Sequence, residues 1–555
     1  MSLMKQALVA GVVICGMLSP AIPAAASAGH GPPGSPKSDA EDGALAFDPA
    51  AYTELTVTVD GQPMAVRWYR EICYVADPIL MAKTQNGREI ANPECGYQSM
   101  NVFVPESSAE NPRTAIYFAV NNSGWMASYI RASVTDGAAY DSTASNVGAA
   151  LKAGYVFVDV ASRSRGIVAA DGTYPGKSPA AVVDAKAAVR YLRLNDSAMP
   201  GSAERIVVNG TSGGGALTAA LAASGNSRDY DTYLADVGAA GISSKRRSTI
   251  RDDVFAANAY CPITDLGNAD IAYEWLFTTL GTRATTRQDP APATSAAIAA
   301  DYPAYLKSLG LRDAAGRKLT ADTMLKMIRD EVARSAETFM KAAPTNVVPD
   351  LGETVPSVGL VNDWIDVDND RDKVVSIDMT KYLAFVVKQR ALKPAPAFDQ
   401  VGVNGLTGGE TNLFGTDEQV YSNFTAYAWN NNSIAGDGTG VDDTGLTWAR
   451  FLRQRGTVVD EQVDLIDPMH YIGTNADTAP YWYVRHGTRD RDTAFTVSIN
   501  LDSALESDRS VKEVDYQLAW DKPHAGNYDV PEAMAWIAGA LREAGPVKAP
   551  TTHGH

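Results

Sequence analysis

Ser212 sits in the pentapeptide Gly210-Thr211-Ser212-Gly213-Gly214, between an apolar run and a stretch of small residues. Arg205 to Asn209 reads as a short buried strand bounded by polar residues, and Ala216 to Ala223 reads as a helix. Strand, Gly-x-Ser-x-Gly, helix describes a nucleophile elbow, in which small neighbours force a serine onto a sharp turn with its hydroxyl exposed at the edge of a sheet. A chain with 46 glycines produces such strings by chance, so the flanking pattern carries the inference. A chain with this element folds as a mostly parallel sheet with helices on both faces.

The rest of the chain agrees. Leu55 to Val59, Asp60-Gly61 and Met64 to Tyr69 read as a hairpin. Strands follow at Asn101 to Val104, Ala115 to Val120 and Tyr155 to Val160, with a helix around Ser145 to Ala153. Ser178-Pro179 opens a helix whose Val182, Ala185, Val189 and Leu192 share a face. Val254 to Cys261 gives one more strand, and there the alternation stops. Asp301 to Leu309 and Ala321 to Lys341 are helical, among acidic or Gly-rich loops such as Gly436 to Gly445. Tyr481 to Arg485 and Val511 to Leu518 restore the strands, and Pro531 to Leu541 closes with a helix. The expected organisation is an α/β domain over 50–263 and 471–545, interrupted by an insertion over 264–470. In α/β enzymes such an insertion lies over the carboxyl edge of the strands, as a lid.

Residues 1–28 have the form of an export signal: Lys5, the apolar stretch Ala7 to Leu18, and Ala26-Ser27-Ala28 as a cleavage site. Pro20 and Pro23 end the run too early for a membrane span. Residues 29–49 read as a flexible leader and 546–555 as a disordered tail. Cleavage removes one lysine and no acid, taking the net charge from −17 to −18. That balance repels phosphate backbones and argues against nucleic-acid partners, and no later stretch suits a membrane. Cys73 and Cys95 bracket one loop and can bridge in an oxidising compartment, whereas Cys261 lies in an apolar run as a core thiol. No cysteine–histidine cluster has zinc spacing. Asp366 to Asp372 is acidic but lacks the glycine and the terminal glutamate of a calcium loop, and reads as a solvated loop.

A serine hydroxyl needs a base within hydrogen-bond reach. Of six histidines, His30 lies in the leader, and His553 and His555 lie in the tail. His524 occupies a small-residue loop between the last strand and the closing helix, where an elbow fold places its base; His470 and His486 suit loop-holding roles. The acid belongs on the loop after Tyr481 to Arg485, which offers Asp490 and Asp492. Oxyanion donors are expected from the Gly213 N–H and from Gly124 or Trp125, in the loop after the early strand.

The chain resembles the bacterial (subtype B) tannases, which are α/β-hydrolases with a large lid. The likeness is carried by Asn121 to Trp125, Gly210 to Leu217, Tyr260-Cys-Pro-Ile-Thr-Asp265, Lys393 to Asp399, Glu410 to Gly415, Arg485 to Asp492 and His524 to Asp529. The resemblance implies hydrolysis of galloyl and related phenolic esters without a cofactor, a triad of Ser212, Asp490 and His524, and substrate contacts from Lys393, Glu410 and Asp492. Two carboxylates and an ammonium suit ring hydroxyls, which both donate and accept. Thr211 and Pro523 stand where the fungal tannase and feruloyl esterase branch has paired cysteines, so that branch does not fit; Asn430 to Asp460 is longer than the pattern. Rival readings are an esterase for hydroxycinnamates such as ferulate, a peptidase, and a non-catalytic binding protein on the same fold.

Overall fold

The computed structural model describes residues 39–545 apart from 244–246, 314, 434–443 and 456–457. The export signal, most of Gly436 to Gly445 and the tail lie outside the described residues. Ten strands form one sheet: β1 (Thr53–Val59), β2 (Gln62–Cys73), β3 (Ser99–Pro105), β4 (Ile116–Val120), β5 (Ala139–Tyr140), β6 (Val156–Val160), β7 (Ile206–Thr211), β8 (Ala256–Tyr260), β9 (Tyr481–Gly487) and β10 (Glu513–Ala519). Their order is β10-β9-β8-β7-β4-β6-β3-β2-β1-β5. From β6 to β10 every neighbouring pair is parallel, and β1, β2 and β3 join as antiparallel neighbours.

The period of two in the strands builds the two sides of the sheet. Ile116, Phe118, Val120, Val156 and Val158 feed one apolar layer, and Tyr117, Ala119 and Phe157 feed the other. The β1–β2 hairpin turns at Asp60 and Gly61, both with positive φ, as a two-residue turn matching strand twist requires. The helix Ala180–Leu194 is buried on nearly all sides, beyond its apolar face. Its charges are buried in pairs: Asp184 with Arg163 at 2.8 Å, and Lys186 and Arg190 with Asp252 at 2.8 and 3.1 Å. Removing one partner would strand a buried charge.

Between the adjacent parallel strands β8 and β9 the chain makes a long excursion. It holds the helices Leu266–Thr279, Tyr302–Leu309, Ala321–Ala342 and Met379–Val386. It also holds two small antiparallel pairs that helical periodicity did not suggest. One is a hairpin, Ile365–Asp368 with Lys373–Ile377, that incorporates the acidic stretch. Ile365 and Val367 point inward while the aspartates alternate outward, so the acid density hid a period of two. The reading of 29–49 as a flexible leader differs from the structure near its end. Leu45 and Phe47 are buried, and the Phe47 N–H donates to Asn195 Oδ1 at 2.9 Å.

Cys73 and Cys95 form a disulfide that closes a segment of sequence separation 22. Cys73→Ser is expected to destabilise the protein by about 3 kcal/mol, through the added freedom of the unfolded chain. Denaturant unfolding of the variant beside the reduced wild type checks this. Among the described residues no helix is long and apolar enough to cross a membrane.

Candidate active site

Ser212 links β7 to the helix Gly213–Ala223 with φ 62 and ψ −124, a conformation that a non-glycine residue holds only when its surroundings enforce it. The enforcement is visible. The Ser212 N–H donates to Tyr260 O at 2.9 Å. A Cβ on Gly213 would stand 2.2 Å from Trp125 N, and one on Gly210 would stand 2.2 Å from Gly214 O. The glycines are therefore there for close approach of backbone to backbone.

The structure brings Ser212, His524 and Asp490 together. His524 Nε2 lies 2.8 Å from Ser212 Oγ, and its Nδ1 lies 2.7 Å from Asp490 Oδ2. Asp490 is fully buried at the end of β9, and its Oδ1 accepts the N–H groups of Asp492 and Thr493 at 2.7 and 3.3 Å. Burial alone would raise the Asp490 carboxyl, but His524 and His486 outweigh it and hold the group below the ordinary carboxylate range. Burial alone would lower the His524 imidazole; the Asp490 carboxylate raises it above its ordinary value, with help from Asp492 and against Lys393. Asp529 fixes the far side of the His524 loop, accepting from Tyr260 Oη at 2.6 Å and Tyr483 Oη at 2.7 Å.

The early loop and the elbow are in direct contact. Gly124 and Trp125 have φ of 59 and 56, and the Trp125 N–H is engaged by Asn122 O at 2.8 Å. No hydrogen bond among the described residues engages the Gly124 N–H. Of the two N–H groups the sequence offered beside Gly213, that of Trp125 is therefore already engaged and that of Gly124 is not.

Lys393, Glu410 and Asp492 share one electrostatic environment. Burial lowers the Lys393 ammonium, and the carboxylates of Glu410 and Asp492 pull it back up; its Nζ sits 3.8 Å from the centre of the Phe398 ring. Burial raises the Glu410 carboxyl against Lys393 and Arg165. Glu410 Oε2 is buried with no hydrogen-bond partner among the described residues. Asp492 Oδ1 contacts Arg491 Nη2 at 3.0 Å, and its Oδ2 lies 3.8 Å from Arg390 Nη1.

Arg165 had escaped the sequence reading of the site, and His486 had been read as holding a loop. Arg165 joins the early loop to the Glu410 loop: Nε donates to Gly124 O at 2.7 Å, Nη1 to Gly409 O at 2.7 Å and Asn412 Oδ1 at 3.1 Å, and Nη2 reaches Glu410 Oε1 at 3.4 Å. No motif marks it, because its partners lie 41 to 247 residues away in sequence and two of the four are backbone carbonyls. His486, expected to hold a loop, lies behind Asp490 with Nε2 3.1 Å from Oδ2, while its Nδ1 pairs with Ser498 Oγ at 2.8 Å. His470 is at the surface beside Asp464. Cys261 is buried next to the triad, its Sγ donating to Ala525 O at 3.2 Å. Burial, with the Asp490 charge, pushes that thiol well up, so it stays protonated.

A family model described as BD-FAE, an α/β-hydrolase family, matches residues 100–285. No curated protein matches the sequence. Among solved structures, a tannin acyl hydrolase in complex with 3,4-dihydroxybenzoate is 30% identical, covering 90% of this chain and 99% of its own at a TM-score of 0.70. The tannin acyl hydrolase of Lactobacillus plantarum matches with the same coverage and TM-score at 29% identity. The tannase of Fusobacterium nucleatum does so at 28%. With its mostly parallel sheet flanked by helices and this whole-length similarity, the chain belongs to the bacterial tannases, carboxylic ester hydrolases of the α/β-hydrolase fold.

Proposed function

We propose that the protein is an exported serine esterase that hydrolyses galloyl or related hydroxybenzoate esters through an acyl-enzyme. The observation that carries this reading is the hydrogen-bonded chain from Ser212 Oγ through His524 to Asp490. His524 Nε2 takes the Ser212 proton as Oγ attacks the ester carbonyl, while the N–H groups of Gly213 and Gly124 receive the developing oxyanion. The imidazolium, stabilised by Asp490, returns the proton to the departing alcohol. Water then enters and gives a proton to His524 as its oxygen attacks the acyl carbonyl; collapse of the intermediate returns that proton to Ser212 Oγ and frees the acid.

The acyl half is read by hydroxyl chemistry. The unpartnered Glu410 Oε2 and the Asp492 carboxylate accept from ring hydroxyls, and the Lys393 ammonium donates to a neighbouring oxygen. An acyl group without hydroxyls would leave these buried groups unpaired, which is what makes such a site selective. Solved relatives in complex with ethyl gallate and 3,4-dihydroxybenzoate support this assignment. Export is supported by the pattern over 1–28 and by the Cys73–Cys95 bridge, which suits an oxidising compartment. The amino terminus of protein recovered outside the cytoplasm is then expected to follow Ala28.

Propyl gallate and methyl ferulate assayed side by side test the reading. Rapid hydrolysis of the gallate with little of the ferulate is expected; hydrolysis of ferulate alone would overturn the galloyl assignment. A fluorophosphonate probe should label Ser212, and failure to label it would overturn the serine mechanism. Arg165→Met removes the guanidinium contact to Gly124 O and the three to the Glu410 loop. It is expected to lower kcat/KM for propyl gallate by about 10- to 100-fold, as loss of a charged hydrogen bond does. Arg165→Lys should recover little of this, since an ammonium cannot span Gly124 O and Glu410 with one planar fork. Steady-state kinetics on variants with unchanged melting temperature check both.

A further inference from the structure

The excursion and the loops that lead to Asp490 and His524 enclose a second cavity, of about 360 Å³. That volume lies within the roughly 300–1,000 Å³ of small-molecule sites. None of Ser212, Asp490, Asp492, Lys393, Glu410 or His524 lines it. Its walls are aromatic: Trp364 packs against Tyr382 at 4.6 Å, Phe385 at 5.6 Å and Trp520 at 5.9 Å, and Trp520 stacks on Phe339 at 6.4 Å. The surrounding segment exposes Val347, Leu351, Val361 and Val375, which are 48–63% exposed. Of these, Val347 lines the cavity itself.

The charges on the lining make the cavity selective. Arg489 and Asp521 neutralise each other, with Nε 2.7 Å from Oδ1, and the guanidinium also donates to Asp521 O and to Gln389 Oε1. Lys522 also lines the cavity; its side chain is exposed, with Nζ 5.8 Å from the centre of the Tyr528 ring and no carboxylate partner among the described residues. An aromatic wall with one unneutralised ammonium matches a ring that bears a carboxylate.

We propose that this cavity is a second binding site for a monocyclic aromatic carboxylate, its ring against Trp364 and Trp520 and its carboxylate at Lys522. This is the class of acid that the proposed reaction releases; the link to the reaction rests on the esterase reading, and the binding does not. The site lies against the loops of the triad. Tyr382 Oη donates to Thr488 O at 2.6 Å, two residues before Asp490, and the Arg489 N–H donates to Lys522 O at 2.9 Å, two residues before His524.

Benzoate is the probe, because it has no ring hydroxyls for Lys393, Glu410 and Asp492 to read. Calorimetry and saturation-transfer NMR on the full chain should find one saturable benzoate site. Ser357→Phe, which fills the cavity from its exposed rim, is expected to weaken benzoate about tenfold or more, the loss of a well-packed ring contact. Lys522→Gln is expected to weaken benzoate about fivefold, the worth of one partly exposed charge pair, and to leave benzamide unaffected. Both variants should hydrolyse propyl gallate at the wild-type rate, which also reports that they fold. Absent benzoate saturation, binding unchanged in both variants, or binding abolished by Lys393→Met instead would each overturn the proposal. Failure of the wild type to hydrolyse propyl gallate would overturn the esterase reading and leave the benzoate result standing.

Discussion

Ser212→Ala is expected to lower kcat for propyl gallate by about 10⁶-fold, His524→Ala by a similar factor, and the double variant by no more than either alone. The non-additivity follows from the geometry. Ser212 Oγ is a poor nucleophile until His524 Nε2, 2.8 Å away, accepts its proton; without the serine the imidazole has nothing to activate. In the proposed mechanism the residual rate is what the Gly213 and Gly124 donors and the acyl contacts supply on their own. The Cys261 thiol, although it lies beside His524, does not provide a second route. It is buried, it is kept protonated, and it points its proton at Ala525 O. Single-turnover measurements with active-site titration check the outcome. Retention of more than about one part in a thousand by Ser212→Ala would exceed what donors and binding supply, and would mean another group attacks the ester.

Local sequence pattern carried those parts of the fold whose physics is local. The elbow was legible because β7 and its helix each have the right period, and because glycine is the only residue type the crowded backbone admits at 210 and 213. The hairpin at Asp60-Gly61 was legible for the same reason, through its two positive φ values. The strand pair around Asp366 was not, since its outward aspartates imitate a solvated loop once the inward Ile365 and Val367 are discounted. The near-total burial of Ala180–Leu194 was hidden too. Lys186 and Arg190 look like solvent-facing residues until Asp252, some sixty residues on, arrives to pair with them.

Within the site the same division holds. Ser212 and His524 announce themselves by position, one on its elbow and the other in the loop before the last helix. Asp490 and Asp492 were equivalent by position, and only family resemblance favoured Asp490; in three dimensions the Asp490 carboxylate reaches His524, while that of Asp492 faces Arg491 and Arg390. Lys393 and Glu410 carried no local signal and were suggested only through family resemblance. Arg165 had not even that, although its guanidinium ties the early loop to Glu410. Residues that act by bridging distant backbone carbonyls leave no periodicity behind, so no window along the chain can find them.

Asp490→Asn separates orientation from charge at the triad, and its expected cost is about 10⁴-fold in kcat. The carboxylate has two kinds of neighbour: Oδ1 takes the N–H groups of Asp492 and Thr493, and Oδ2 pairs with His524 Nδ1 at 2.7 Å, with His486 Nε2 3.1 Å away. An amide has one oxygen. If that oxygen keeps the backbone N–H groups, the NH₂ points at His524 Nδ1, which must then accept; the ring proton moves to Nε2, and Ser212 loses its base. If the amide turns over, its NH₂ meets two backbone donors at the end of β9 and the loop is destabilised instead. The pH profile distinguishes loss of charge from loss of shape. His524 works as a base only when neutral, and the Asp490 carboxylate raises its pKa, so the acid limb of kcat/KM in the wild type lies above the ordinary histidine value of about 6.5. Without that charge the limb should move to lower pH while the plateau falls. For stability the sign is opposite for the two partners. The depressed Asp490 carboxyl contributes above the unfolded pKa of about 4, and this is lost as pH falls through its lower folded value. The raised His524 contributes fully below about 6.5, and this is lost as pH rises through its folded pKa. Asp490→Asn should therefore flatten both ends of the stability profile. A variant that keeps kcat within about tenfold, with its acid limb unmoved, would transfer the orienting role to Asp492 and sink the triad as drawn.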